Sequence, residues 1–115
     1  MKCAAVLAAA AIFTAVSCQR SGAARVAIAE SKKYEASLYR QHCAICHGVE
    51  AEGKVLTDGR RVPSLREGEF KAKNQAQIYN QIANGGNGMV AFRSQLSQRE
   101  IEMMTAFVLH DLRGQ

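Results

Sequence analysis

Apolar residues recur at helical spacing in two segments in the middle of the chain. The first segment, 32–43, follows Ser31, whose hydroxyl makes it a candidate N-cap. The second, 75–83, follows Asn74 as a candidate cap and ends at a run of asparagine and glycine. The residues between them are polar and contain several glycines and the one proline. The pattern therefore predicts two helices joined by a long loop.

The last predicted helix has the clearest start. Ser97 and Glu100 have the spacing of a capping box, and Leu96 and Ile101 flank them as a hydrophobic staple. Apolar residues then continue with a helical period to Leu112. No pattern indicates a β-hairpin or an internal repeat, so the chain is predicted to be all-α.

The beginning of the chain has a different pattern. Lys2 precedes an apolar stretch, 4–16, which is followed by small residues. A positive start, a short apolar core and small residues after it are typical of a secretory signal, predicted here as 1–17. A buried N-terminal helix is the alternative. The stretch is shorter than the roughly 20 residues that a membrane-spanning helix needs.

Cys18 stands directly after this predicted signal. A cysteine after a small residue resembles the bacterial lipoprotein box, in which that cysteine carries the lipid, although Ala15 stands where the box usually has leucine. A lipid anchor on Cys18 and a freely soluble exported protein both stay open. We predict a linker or membrane tether over 18–30 and a single domain over 31–115.

Composition excludes several classes of protein. With 115 residues, of which 48% are hydrophobic and 22% charged, the chain is long enough for one globular domain. A multidomain enzyme and a polytopic membrane protein are thereby excluded. A domain this small builds only a limited core, so an additional covalent or cofactor staple is expected.

The cysteines indicate what this staple is. Cys43 and Cys46 are separated by two residues and followed at once by His47, which is the attachment pattern of c-type haem. The two thiols add to the two vinyl groups of one haem, and the histidine reaches the iron from the same side. A thioredoxin-like dithiol would need a preceding strand, and a zinc site would need further ligands of suggestive spacing. We therefore predict one covalent haem c.

The iron needs a sixth ligand or an open position. Met103 and Met104 lie in the last predicted helix with core periodicity, which favours packing. Met89 lies instead in a glycine-rich loop between helices, where backbone can approach a flat ring closely. A thioether is a soft, neutral ligand that raises the reduction potential when it is paired with histidine. Met89 is thus the predicted second ligand, with gap-filling under the loop as the alternative.

At this point the chain resembles the class I c-type cytochromes of bacteria over about 33–112. The matching parts, in family order, are Leu38-Tyr39, Cys43 to Gly48, Pro63-Ser64-Leu65, Gly88-Met89 with Ala91-Phe92, Leu96-Ser97 with Glu100-Ile101, and Phe107-Val108. Two residues depart from the family pattern. Glu35 stands at a helix crossing where the family has glycine, and Val90 follows Met89 in place of proline.

The resemblance implies a small cytochrome c fold with three to four helices around one haem. It implies that His47 and Met89 are the axial ligands, and that the carbonyl of Pro63 accepts a hydrogen bond from the other ring nitrogen of His47. It also implies that Tyr39, Met104 and Phe107 meet where the first and last helices cross. Pairing of Arg60 or Arg61 with a haem propionate is a further hypothesis, suggested by their closeness to Pro63 in sequence.

With both axial positions filled, the chemistry left is one-electron exchange. We predict a monohaem electron carrier of the bacterial periplasm rather than an enzyme. A haem subunit bound permanently to a dehydrogenase or oxidase is the alternative, and an enzyme or gas sensor would require an open iron position. The net charge of +5 suggests docking to acidic faces of redox proteins, although an ordinary solvated surface explains it as well. No nucleic-acid partner is expected, and a membrane surface is expected only if Cys18 carries a lipid.

Overall fold

The structure is a computed structural model that describes residues 25–115. The predicted signal peptide, 1–17, and the predicted lipid site, Cys18, lie outside the described residues. In the part that is described, no helix combines the length and the apolar character needed to cross a membrane.

Helices dominate the described residues, as predicted. The elements in chain order are α1 (Tyr34–His42), α2 (Ala44–His47), β1 (Lys54–Val55), β2 (Arg61–Val62), α3 (Gln75–Asn84), α4 (Gln98–Ala106) and a π-helical segment (Phe107–Leu112) that continues α4. The only sheet among these residues is the antiparallel pair β1–β2. The prediction of an all-α fold with three to four helices is confirmed apart from this small sheet.

Two predicted helix caps are present. The Asn74 side chain accepts a hydrogen bond from the backbone N–H of Gln77 at the start of α3. At α4, the Ser97 hydroxyl accepts from the Glu100 N–H, while the Glu100 carboxylate accepts from the Ser97 N–H. The cap predicted at Ser31 is wrong: α1 begins three residues later, and its N-cap, Lys33, makes no side-chain cap.

The core forms where α4 packs against both α1 and α3. Tyr39, Met104 and Phe107 are almost completely buried, and the rings of Tyr39 and Phe107 lie 6.3 Å apart between centroids. The predicted crossing of the first and last helices is therefore present. The Tyr39 hydroxyl donates to the carbonyl of Gly48, and burial raises the pKa of this tyrosine. The core thereby contacts the segment that follows His47.

The long loop predicted between the first two helices contains a short hairpin, so the prediction that the chain has no β-hairpin is wrong. β1 and β2 pair Lys54 with Val62 and Val55 with Arg61. The turn between them includes Gly59 at φ +84°, in the region that glycine adopts most readily. Strands of two residues cannot show an alternating pattern, so the sequence gives almost no signal for them.

The predicted linker also ends earlier than expected. Residues 25–31, which we call the N-terminal strap, pack on the domain rather than standing away from it. Ile28 at their centre has no exposed surface, and the Arg40 side chain donates to the carbonyls of Ile28 and Ser31 at 2.5 and 3.0 Å. The strap contains no helix or strand, which explains why its apolar residue gave no periodic signal.

Candidate functional site

The predicted haem-attachment residues lie on one tight helical turn. Cys43 follows α1 directly, and its carbonyl accepts hydrogen bonds from the N–H of Cys46 at 3.1 Å and of His47 at 2.9 Å. Both cysteines are free thiols. The element before them is a helix, so the thioredoxin-like alternative, which needs a strand there, does not fit. The structure brings no group of three or more potential metal-binding side chains together in residues 25–115.

The thiols differ in their surroundings. Cys46 is exposed, whereas Cys43 is partly buried, and this burial, reinforced by nearby Cys46, raises the pKa of Cys43 to about 12. Redox-active and metal-binding cysteines depend on the thiolate and have lowered pKa values. The raised pKa of Cys43 is therefore unlike that of a redox-active or metal-binding cysteine.

His47 has a partly buried ring. Its Nδ1 is fully buried and has no hydrogen-bond partner among the described residues. Burial lowers the pKa of His47, and the backbone carbonyl of Pro63 opposes this effect. Pro63 lies close to the His47 segment, because the N–H of Gly53 donates to the His47 carbonyl at 2.7 Å and Gly53 packs against the carbonyl carbon of Pro63. A histidine that binds a metal does so as the neutral ring, and burial of Nδ1 leaves Nε2 as the nitrogen suited to that role.

These observations agree with the donor set that a covalent haem requires. A buried ring nitrogen without a partner lies on the same turn as two free thiols. A metal-bound histidine normally donates its second ring N–H to a carbonyl or carboxylate. Because Pro63 supplies a carbonyl on that side, Cys43, Cys46, His47 and Pro63 fit the group together.

Met89 lies in a tight turn rather than in the flexible loop expected. Gly86 and Met89 exchange backbone hydrogen bonds of 2.9 and 3.0 Å, and the two residues between them, Asn87 and Gly88, have φ values of +53° and +85°. Positive φ at both central residues defines a type I′ turn, for which Asn-Gly is the preferred sequence. No strands flank the turn, so the alternating pattern that marks most Asn-Gly turns is absent from the sequence.

A glutamine on α3 contacts Met89. The Gln81 side-chain amide donates to the carbonyl of Gly86 at 3.0 Å and lies 3.7 Å from the sulfur of Met89. Gln81 adjoins Ile82 in the apolar stripe of the helix, and its sequence position gave no sign of this role. Met103 is half-buried and Met104 buried within α4, which agrees with packing.

The two arginines considered for propionate pairing have different neighbours. Arg60 forms an ion pair with Asp58 at 2.7 Å and reaches the carbonyl of Gly88 at 3.5 Å. It therefore lies beside the Met89 turn. Arg61 is exposed on β2. Propionate pairing by either residue stays a prediction.

Apolar side chains are exposed in the segments that carry these residues. Ile45, between the two cysteines, is 75% exposed, and Val90, directly after Met89, is 62% exposed. Val49 and Val55 are more than half exposed in the segments that follow His47. These side chains lie in the segments where a bound group or a partner would make contact.

Comparison with known proteins agrees with the geometry. The family described as cytochrome c oxidase, cbb3-type, subunit III matches residues 33–108. Cytochrome c6 of Nostoc sp. is 32% identical over 84 residues, which cover 72% of this chain and 73% of that protein. Cytochrome c6 of a Synechococcus strain is 31% identical over 74 residues, or 64% of each chain.

Solved structures give the same result. Cytochrome cL of the marine methylotrophic bacterium Methylophaga aminisulfidivorans is 29% identical with a TM-score of 0.52, over 63% of this chain and 47% of that one. Cytochrome c6C of Synechococcus sp. PCC 7002 is 24% identical with a TM-score of 0.52, over 69% and 94% of the two chains. At that identity the second likeness concerns the fold alone.

Proposed function

This chain belongs to the class I c-type cytochromes, and from that membership we propose that it carries single electrons with His47 and Met89 as the axial ligands of its haem. The haem c is attached covalently through cysteine, and Cys43 and Cys46 form the attachment pair. The bound haem supplies an iron that alternates between Fe(II) and Fe(III).

The observation that carries the proposal is the environment of His47. Its Nδ1 is buried without a hydrogen-bond partner among the described residues, which leaves Nε2 for the iron. Met89 supports the second position, because its half-buried sulfur is held between the α3 amide of Gln81 and a hydrogen-bonded turn. With two protein ligands the site has no open position, so the chain's own residues bind, orient and exclude water rather than transform a substrate.

The optical spectrum of the oxidised holoprotein tests the ligation. The full chain would be produced in an exporting host that attaches haem. We expect a low-spin spectrum with the weak sulfur-to-iron charge-transfer band, lost in Met89→Leu and retained in the matched control Met103→Leu. A high-spin wild-type protein without this band would instead support a catalytic or gas-sensing role.

Export and anchoring are part of the proposal. The predicted signal, 1–17, supports a periplasmic location, and Cys18 supports a lipid anchor there. We expect the wild-type protein to sediment with membranes and the Cys18→Ser variant to be released as a soluble exported holoprotein. Soluble wild-type protein would favour the unlipidated alternative.

The proposed partners are redox proteins with an acidic docking face. The β1–β2 hairpin presents the exposed cations Lys54, Arg60 and Arg61 next to exposed Val55. Electron transfer to such a partner should slow as salt is raised, because screening removes electrostatic steering. A rate that does not change with salt would favour an ordinary solvated surface.

A permanent haem subunit of an oxidase or dehydrogenase is the second candidate. The matching family is described as an oxidase subunit, and the exposed Ile45, Val49 and Val90 are consistent with a covered surface. Co-purification of a catalytic chain at fixed stoichiometry would favour this candidate. Isolation of a monomer that exchanges electrons freely would favour the mobile carrier.

A further inference from the structure

The N-terminal strap, 25–31, precedes the segment matched by the family, yet it is built into the domain. Its buried residue, Ile28, is part of the core cluster. Its backbone is held by polar side chains from the two loops that flank the His47 side of the site. These contacts, rather than the strap's own sequence, indicate what it does.

Arg66 is the first of these side chains. It is only 9% exposed, the lowest value for any cation in the ion pairs of the described residues. Its guanidinium donates to the carbonyl of Val26 in the strap at 2.7 Å and to the Glu50 carboxylate at 3.1 Å. Its Nε also donates to the carbonyl of Glu50. One buried cation thus connects the strap with the loop after His47.

Glu50 is the second side chain that holds the strap. Its carboxylate accepts hydrogen bonds from the strap N–H groups of Ile28 at 2.9 Å and Ala29 at 2.8 Å. Desolvation acts to raise the pKa of Glu50, but these donors and Arg66 outweigh it, so the pKa is lowered. The two residues therefore hold the strap from both its N–H and its carbonyl groups.

The same loops lead to His47. The carbonyl of Ala51, next to Glu50, accepts from the N–H of Leu65 at 2.9 Å and from the hydroxyl of Ser64 at 3.2 Å. Leu65 and Ser64 stand between Arg66 and Pro63. Gly53 connects Pro63 with His47, because its N–H donates to the carbonyl of His47 at 2.7 Å and a Cβ placed on it would lie 2.8 Å from the carbonyl carbon of Pro63. A series of contacts thus runs from the strap to the backbone of His47.

We propose that Glu50 and Arg66, braced by the strap, are positioning residues that hold the Pro63 carbonyl against Nδ1 of His47. In the holoprotein the carbonyl would accept a hydrogen bond from Nδ1–H, which would fix the ring and make His47 a stronger donor to the iron. The inference rests on the proposed function, since it requires His47 to be an axial ligand. The inference goes beyond the proposed function, because it assigns control of the donor strength of His47 to the Glu50–Arg66 ion pair and the strap, which do not touch the ring.

The test uses the full-length holoprotein and its Arg66→Gln and Glu50→Gln variants. Proton NMR would measure solvent exchange of the His47 Nδ1 proton. We expect exchange to be faster than in the wild type in both variants, because a weakened contact with the Pro63 carbonyl leaves the Nδ1 proton open to water. Arg66→Lys, which keeps the charge but not the fork of donors, should be intermediate.

Arg113→Gln is the matched control. Arg113 is also half-buried and donates to a backbone carbonyl, that of Ala72, at 2.6 Å, and it covers the ring of Phe70. It therefore fixes a different segment. At equal stability we expect this control to leave exchange at His47 unchanged. Exchange that follows stability alone in all variants would overturn the proposal.

The reduction potential separates positioning from charge. Loss of a positive charge at Arg66 would lower the potential through charge alone, and loss of a negative charge at Glu50 would raise it. A weakened contact between Pro63 and His47 makes the ring a poorer donor, which disfavours Fe(III) and raises the potential in both variants. Upward shifts in both support the proposal, and shifts of opposite sign overturn it.

The wild-type spectrum separates a failure of the proposed ligation by His47 from a failure of the positioning role of Glu50 and Arg66. If no iron-coordinated His47 ring is observed in the wild type, the proposed function fails and this inference fails with it. If the ring is coordinated but the Glu50 and Arg66 variants behave like the control, only the positioning role is overturned.

Discussion

The two sides of the haem site are built differently. On the His47 side, buried Arg66 connects the strap to the loop around Glu50, and that loop is bonded in turn to Ser64 and Leu65. On the Met89 side, a four-residue turn is held by its own backbone bonds and by the partly or fully exposed side chains of Gln81 and Arg60. The residues after the turn return to α3 through backbone bonds from Phe92 and Arg93.

This difference indicates that the two proposed axial ligands, His47 and Met89, are held in segments of different local stability. Regions with few buried contacts and solvent-exposed hydrogen bonds open at lower free energy than the core. The Met89 turn has this character, and Val90 lacks the fixed φ that proline would bring at that position. We therefore expect Met89 to leave the iron well before His47 does when the protein is destabilised.

The largest expected effect comes from the strap. Ile28→Ala removes a fully buried side chain and should lower the free energy of unfolding by about 3 kcal/mol, a typical cost for truncation in a core. Denaturant unfolding followed by circular dichroism would measure it. Val55→Ala, at an exposed apolar position, is the control and should cost little. An equal loss of unfolding free energy in Ile28→Ala and Val55→Ala would show that the packing of the strap does not stabilise the His47 side.

A second substitution acts on the Met89 side. Gly85 and Gly86 both have positive φ, but a Cβ on Gly85 would lie 2.5 Å from the carbonyl oxygen of Met89, whereas one on Gly86 would meet nothing within 4 Å. Gly85→Ala should therefore displace the turn and cost about 2 kcal/mol, combining backbone strain with a steric clash.

The readout is the sulfur-to-iron band. It should weaken or vanish in Gly85→Ala and persist in Gly86→Ala, where only the backbone strain is present. A band of unchanged intensity in Gly85→Ala would mean that the turn tolerates the shift, and that the two sides are more alike than the contacts indicate.

Lowering the pH should destabilise the His47 side by protonating Glu50. Because its folded-state pKa is lowered from 4.5, Glu50 contributes stability that is present above about pH 4.5 and is lost as the pH falls through the folded pKa. Glu50→Gln should cost about 1 kcal/mol at pH 7, a value reduced for the partial exposure of this side chain. Urea midpoints at pH 7 and pH 3 would check this, and the difference from wild type should shrink at pH 3.

The smallest expected effect is at Gln81. Gln81→Ala removes the amide that contacts Gly86 and Met89, and should lower the free energy of opening of the turn by about 1 kcal/mol or less. The denaturant concentration at which the sulfur-to-iron band disappears would measure it. Asn80→Ala, an exposed neighbour on the same helix, should leave that concentration unchanged.

Local signals in the sequence predicted the features that a few neighbouring residues determine. The capping box at Ser97 and the cap at Asn74 satisfy backbone N–H groups three residues away, so their spacing alone reveals them. The turn from Cys43 to His47 is similarly local. The arrangement of Tyr39, Met104 and Phe107 came from the family resemblance rather than from periodicity.

Contacts between distant segments could not be predicted in this way. In the sequence, Arg66 has no feature that separates it from the exposed arginines and lysines. Its burial depends on its contact with Val26, which is forty residues away. Ile28 shares a short segment with Val26 and two alanines, and because the segment forms no helix or strand, no period marks it as core. Gln81 is one polar residue beside an apolar stripe, and its contact with Met89 depends on how the turn folds back.

The strap also sets an order of assembly. The bonds from Arg66 to Val26 and from Arg25 to Glu67 close a loop of the polypeptide that contains both cysteines and His47. This closure cannot form until synthesis has passed residue 67, whereas the cysteines emerge some twenty residues earlier. During that interval the thiols belong to an open chain, accessible to whatever attaches the haem, and the strap closes over a segment whose covalent chemistry can already be complete.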